Sequence, residues 1–227
     1  MSKSSSGATV GCAELRSQQD LPSPEYERFA RLHPDGRRLI KGWFARASRL
    51  HDSGHSSPLE AFIYVWISFN GWASCVTQLD FDRQWVNSLA ADHEISAEFS
   101  RAVASHVEVS QAARLFASYW PIFEVRHLRR RGLLWHGFSD RAATIRYFID
   151  NGATECEPKC GVRHLTEGSP IPLDWPHTLS ALYRVRCNLF HGEKSLQSED
   201  DKNIVSAALT CSSTCDHLTS SSYRMNL

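Results

Sequence analysis

A chain of 227 residues that is 42% hydrophobic and 11% aromatic is long enough for one domain with a substantial core. Its 25 basic and 25 acidic residues balance, which excludes a global field that would draw it onto nucleic acid or a membrane surface, so any polyanion site must be local. Seven cysteines, an odd number at irregular spacing, follow an N-terminus (MSKSSSGATVGCAELRS) that lacks an apolar leader, and together these predict cytoplasmic thiols rather than a disulfide framework.

In chain order, residues 1–22 are rich in Ser and Gln and predict a disordered tail. A single helical domain is expected over 23–218, followed by a flexible tail at 219–227. Glu25–Leu32 and Arg37–Leu50 read as two short helices separated by a turn at His33-Pro34-Asp35-Gly36. After a polar break at 51–57, Pro58 opens a long helix over 59–77. Its run FIYVWISFNGWASCV carries Ser68, Asn70 and Ser74 and is too short and too polar to span a bilayer, so it predicts a buried central helix. Asn70-Gly71 within it marks a close helix crossing with a satisfied side chain. Weaker amphipathic segments follow at 81–91 and 94–106, and Gln111–Tyr119 continues the helical pattern until Pro121.

Ser139 reads as the N-cap of a helix that ends at Asn151-Gly152, and a loop is expected over 153–173. Pro176 begins a helix whose Leu179, Leu182, Val185 and Leu189 recur at core-facing spacing, and Asp200–Leu209 is a last, fading helix. No alternating run bounded by hairpin dipeptides occurs. The economical architecture is an all-α bundle centred on helices 59–77 and 176–191.

The late helix ends in ALYRVRCNLFHGEKS, which crowds Arg184, Arg186, Asn188 and His191 into its last turns before Gly192. Arg184, Asn188 and His191 share one helical face, opposite the leucines, whereas Arg186 flanks the apolar stripe. A guanidinium there must either snorkel outward or meet something polar, such as a partner or a ligand phosphate. Gly192 lets the chain leave the helix and bring the His191 ring back toward Arg186. Metal-free RNA cleavage needs a base near the 2'-hydroxyl, a cation for the phosphorane and a proton donor for the leaving oxygen, and histidine titrates in the useful range. A solvated helix end with favourable basic residues in its last turn has the same spacing.

Arg186-Cys-Asn-Leu-Phe-His191, an R-x4-H near the end of a late helix, resembles the motif of the HEPN superfamily (higher eukaryote and prokaryote nucleotide-binding). The phrases YRVRCNLFHGEKS, FIYVWISFNGW at 62–72 and PLDWPHTL at 172–179 look like an uncharacterised bacterial branch of it, over about 59 to 209. The resemblance implies a bundle that dimerises through its motif helices, so that two Arg/His pairs form one composite, metal-independent ribonuclease site. Arg186 is then the phosphate-stabilising arginine and His191 the catalytic histidine. Asn188 is the motif's polar residue, one place later than usual because Cys187 follows Arg186, and Arg184 competes for the arginine role at x6. The family includes toxins and defence effectors held in check by an antitoxin or partner protein. It also includes catalytically silent modules that bind nucleotide, RNA or a partner protein.

VRHLRRRG at 125–132 concentrates Arg126, His127, Arg129, Arg130 and Arg131. With Arg184 and Lys194 these arginines are candidate RNA contacts, or else a solvated helix end. Cys156-x3-Cys160-x3-His164 and Cys211-x3-Cys215-x-His217 invite a zinc reading, but cysteines are often small buried hydrophobes, and no metal or cofactor is expected. Trp43, Trp66, Trp72 and Trp120 are expected in the core.

Overall fold

A computed structural model of the chain describes residues 28, 29, 31–52, 57–133, 141–152, 172–192 and 199–220, with the backbone alone at 52, 141 and 213–220. Both tails expected to be disordered fall outside these residues, apart from positions 219 and 220, which belong to the last helix. The described residues form nine helices and no strand: α1 (Pro34–Asp52), α2 (Pro58–Thr77), α3 (Asp82–Ala90), α4 (His93–Ser105), α5 (Val107–Ser118), α6 (Val125–Arg130), α7 (Arg141–Asp150), α8 (Trp175–Phe190) and α9 (Glu199–Ser220). The fold is all-α.

Local chemistry explains several of the boundaries. The Ser57 hydroxyl oxygen accepts from the Leu59 N–H, with Pro58 in the first turn of α2, and the helix closes at Gln78, a left-handed residue (φ 58°) whose N–H donates to Ser74 O. Asp92 caps α4 by accepting from the Ile95 N–H at 2.9 Å, and Asp174 caps α8 by accepting from the His177 N–H at 3.0 Å. The expected turn at 33–36 is instead the start of α1. Proline is favoured in a first turn because it has no N–H to orphan, and Asp35 complements the helix dipole there. Helix α5 begins at Val107, before the expected Gln111, and α9 continues well past Leu209 to Ser220.

The core is largely aromatic. Helices α2 and α8 meet through rings, Trp66 with Tyr183 at 6.3 Å and Phe69 with Trp175 at 6.5 Å, and Trp85 of α3 packs on Trp66 at 5.8 Å. Trp175 Nε1 donates to Leu89 O at 2.8 Å, which satisfies a fully buried indole. Leu179, Leu182 and Val185 are buried as their spacing requires, each contributing about 1.5–3 kcal/mol of apolar burial. Trp66 and Trp120 are buried, whereas Trp43 and Trp72 are only partly so.

Helix α1 crosses α2 closely. Ser68 Oγ donates to Ile40 O at 2.9 Å, and a Cβ on Gly71 would lie 3.1 Å from the Ile40 side chain. The crossing expected from Asn70-Gly71 is there, but Asn70 Oδ1 is buried without a hydrogen-bond partner among the described residues. Helix α9 lies on α2 and α5, and its Ile204, Val205 and Ala208 are buried.

A second, smaller apolar cluster holds α6 and α7 together, with Phe123, Leu128 and Phe148 at its centre and Phe123 on Phe148 at 5.2 Å. Among the described residues it is separate from the main core. That separation matters for the end of α8, because polar contacts from α8 join the small cluster to the bundle.

Candidate site at the end of helix α8

The last turns of α8 project in two directions. Arg184, Asn188 and His191 lie at i, i+4 and i+7 and so on one face, and all three engage the consecutive residues Phe123–Arg126. Arg184 pairs with the Glu124 carboxylate. Asn188 Nδ2 donates to Phe123 O at 2.8 Å while its Oδ1 accepts from the Val125 N–H at 3.1 Å. His191 Nε2 lies 3.4 Å from Arg126 Nη1.

The face opposite the leucines is therefore not solvated at Asn188. The residue is 2% exposed, and both ends of its amide are used by backbone. Placed so, Asn188 fixes the chain entering α6 and presents no atom to a ligand. His191 is different: it caps α8, is exposed, and donates its own N–H to Cys187 O at 3.1 Å. Gly192 follows at φ 70°, a conformation that costs a side-chain-bearing residue about 1–2 kcal/mol.

Arg186 points elsewhere. It lies five positions before His191, about 140° around a helix of 3.6 residues per turn. Its Nη2 lies 2.7 Å from Asp82 Oδ2 at the start of α3, and its guanidinium sits 6.0 Å from the Trp66 ring centroid and 5.0 Å from that of Phe190. Thus the polar partner that a flank arginine requires is, within one chain, a carboxylate backed by two aromatic faces. Arg186 Nε is buried without a hydrogen-bond partner among the described residues. Tyr183 shares this neighbourhood. Burial, reinforced by Cys187 and Asp82 and opposed by Arg186, pushes its phenol up to about 12, so it stays neutral. Around the ion pair Phe190 is 46% and Phe81 68% exposed, which leaves large apolar surfaces beside Arg186 and Asp82.

The basic segment is a short helix, with Arg126, His127, Arg129 and Arg130 exposed. Arg131 has a tethering role: its guanidinium donates to Gly152 O at 2.6 Å and Asn151 O at 3.0 Å, binding α6 to the end of α7. Lys194 lies outside the described residues, as do Cys156, Cys160, His164 and the side chains of Cys215 and His217. Cys211 is fully buried, and burial pushes its thiol up to about 12, which disfavours the thiolate a metal would need. Among the described residues no group of three or more His, Cys, Asp or Glu side chains is placed to hold a metal ion.

The structure thus brings Arg184, Asn188, His191 and Arg126 together and directs Arg186 to Asp82. Sequence reasoning missed Glu124 and Asp82. Glu124 is the only acidic residue between Pro121 and Gly132, a faint signal of an internal counter-ion, whereas nothing in the local sequence marks Asp82. Chemically the end of α8 combines an exposed imidazole able to move a proton with a guanidinium able to hold an anion. No helix among the described residues is long and apolar enough to cross a membrane. Comparison of the chain with family models, curated proteins and solved structures finds no match.

Proposed function

We propose that the protein is a metal-independent RNA endonuclease of HEPN type, acting in the cytoplasm as a toxin or defence effector. The observation that carries this reading is the exposed His191 imidazole at the end of a buried helix, with Arg126 against its Nε2 and further arginines along α6. In the reaction, His191 takes the proton of a ribose 2'-hydroxyl and that oxygen attacks the adjacent phosphorus. The bond to the 5'-oxygen then breaks and that oxygen takes up a proton from solvent, leaving a 2',3'-cyclic phosphate and a 5'-hydroxyl. Arg186 is the cation for the phosphorane. Asn188 acts as a positioning residue, since its amide is consumed by Phe123 and Val125.

A homodimer is part of this reading. Arg186 and His191 diverge within one chain, and a two-fold axis beside α8 would set one protomer's Arg186 against the other's His191. The exposed rings of Phe190 and Phe81 favour such a seam, because a second copy would remove them from water. Arg186 already neutralised by Asp82 favours a second reading, a catalytically silent module that binds nucleotide, RNA or a partner protein.

The test is cleavage of RNA by the purified protein in EDTA, with the product ends determined and light scattering run alongside. The proposal expects a dimer, EDTA-resistant cleavage to cyclic phosphate ends, and loss of about 100-fold or more in His191→Ala and in Arg186→Ala. RNA binding without cleavage, unchanged in His191→Ala, would establish the silent module. Cleavage abolished by EDTA and restored by magnesium would end the mechanism.

A further inference from the structure

Arg126 and His191 have a relationship that neither residue's sequence context reveals. Both are exposed, yet neither hangs from a free segment. His191 closes α8, whose preceding turns are buried in the main core. Arg126 sits in the first turn of α6, and the segment just ahead of it is held by α8 at its backbone, through the Asn188 amide, and at its Glu124 side chain, through Arg184. On its other side α6 is held by Phe123 and Leu128 in the small cluster with Phe148. The 3.4 Å approach of Arg126 Nη1 to His191 Nε2 therefore joins two anchored elements.

Charge makes this pair unusual. Arg184 and Arg186, the two arginines of the motif helix, each have a carboxylate, Glu124 and Asp82. Among the described residues no carboxylate lies within ion-pair distance of Arg126 or His191. A guanidinium has five donors in a planar fork, and among the described residues the exposed Arg126 uses it in one contact, to the imidazole. A fixed guanidinium beside an imidazole, with no counter-ion among the described residues and further arginines along the same short helix, is matched by a tetrahedral oxyanion. Phosphate geometry suits the fork bidentately.

We propose that Arg126 and His191 together form a phosphate-binding pair for a ribonucleotide strand. Arg126 holds a non-bridging phosphate oxygen, and His191 faces the ribose side of the same phosphate. Within the ribonuclease reading, on which this rests for its substrate, Arg126 is a further catalytic residue from outside the R-x4-H motif, and Asn188 and Arg184 are the residues that position it.

The experiment follows histidine ring signals by nuclear magnetic resonance as uridine 3'-monophosphate is added to the full-length protein. The His191 signals are identified by their loss in His191→Ala. Saturable shifts of the His191 ring are expected in the parent. They should weaken at least about tenfold in Arg126→Ala and partly recover in Arg126→Lys, which keeps the charge but not the fork. Arg38→Ala, an exposed arginine of α1 paired with Asp35 and outside the α6 cluster, should change them less than about threefold. In parallel, Arg126→Ala should lower kcat at saturating RNA by about 100-fold. A ring response that depends on Arg126 in a protein that cleaves no RNA supports the phosphate pair and ends the ribonuclease reading. Absence of any His191 response at millimolar nucleotide, or cleavage that Arg126→Ala leaves within threefold, overturns the pair.

Discussion

Replacing Asn188 by alanine tests the central structural claim, that this residue is a clamp and not a ligand contact. The substitution removes the acceptor 3.1 Å from the Val125 nitrogen and the donor 2.8 Å from Phe123 O, at a site 2% exposed. Each backbone group left without a partner costs about 1–3 kcal/mol when water cannot reach it, so with two such groups the variant should lose about 2–6 kcal/mol. Set against a total stability of about 5–15 kcal/mol, that is a large fraction. For a chain of this size Tm moves about 2–4 °C per kcal/mol, which corresponds to a fall of about 4–24 °C. Urea unfolding followed by tryptophan fluorescence measures the loss directly, and an unchanged m-value assigns it to stability and not to altered compactness. His191→Ala is the internal control. Its side chain is exposed, so it should stay within about 0.5 kcal/mol of the parent. An Asn188→Ala protein as stable as the parent would refute the clamp, and with it the account of how Arg126 is held beside His191.

Three further outcomes follow from the same geometry. Arg186→Ala leaves Asp82 without its cation and removes contacts to Trp66 and Phe190; it should cost about 1–3 kcal/mol by denaturant unfolding, while Arg186→Lys, keeping charge without a planar face, should recover only part. Gly192→Ala meets no atom of the described residues within 4 Å but imposes φ 70° on a residue with a Cβ, so it should lose about 1–2 kcal/mol. Burial raises the Cys211 thiol from 9.0 and the Tyr183 phenol from 10.0, each to about 12. Between pH 9 and about 12 the unfolded chain ionises while the folded one does not, so stability present below that window falls as pH rises through it. Alkaline melting curves should show this decline, and Cys211→Ala should make it shallower.

Much of this molecule was legible in its residues. Helical periodicity, the absence of alternating runs, and Pro58 and Pro176 near helix starts were enough to specify an all-α bundle and its two buried helices, because those signals act within a few residues of themselves. Asn70-Gly71 similarly announced a close helix crossing, though not which helix crosses, and a Cβ at Gly71 would press on the Ile40 side chain at 3.1 Å. His33-Pro34-Asp35-Gly36 was misleading because proline and an acidic residue suit a turn and a first helical turn equally. The end of α8 shows what local sequence leaves open. Spacing placed Arg184, Asn188 and His191 on one face, but a helical wheel has no information about what covers that face. The segment Phe123–Arg126, more than sixty residues away, makes Asn188 a buried clamp and sets Arg126 against His191. Asp82, more distant still, captures Arg186. A guanidinium pairs with whichever carboxylate the packing of large aromatic rings brings within reach, and only the tertiary fold decides which that is.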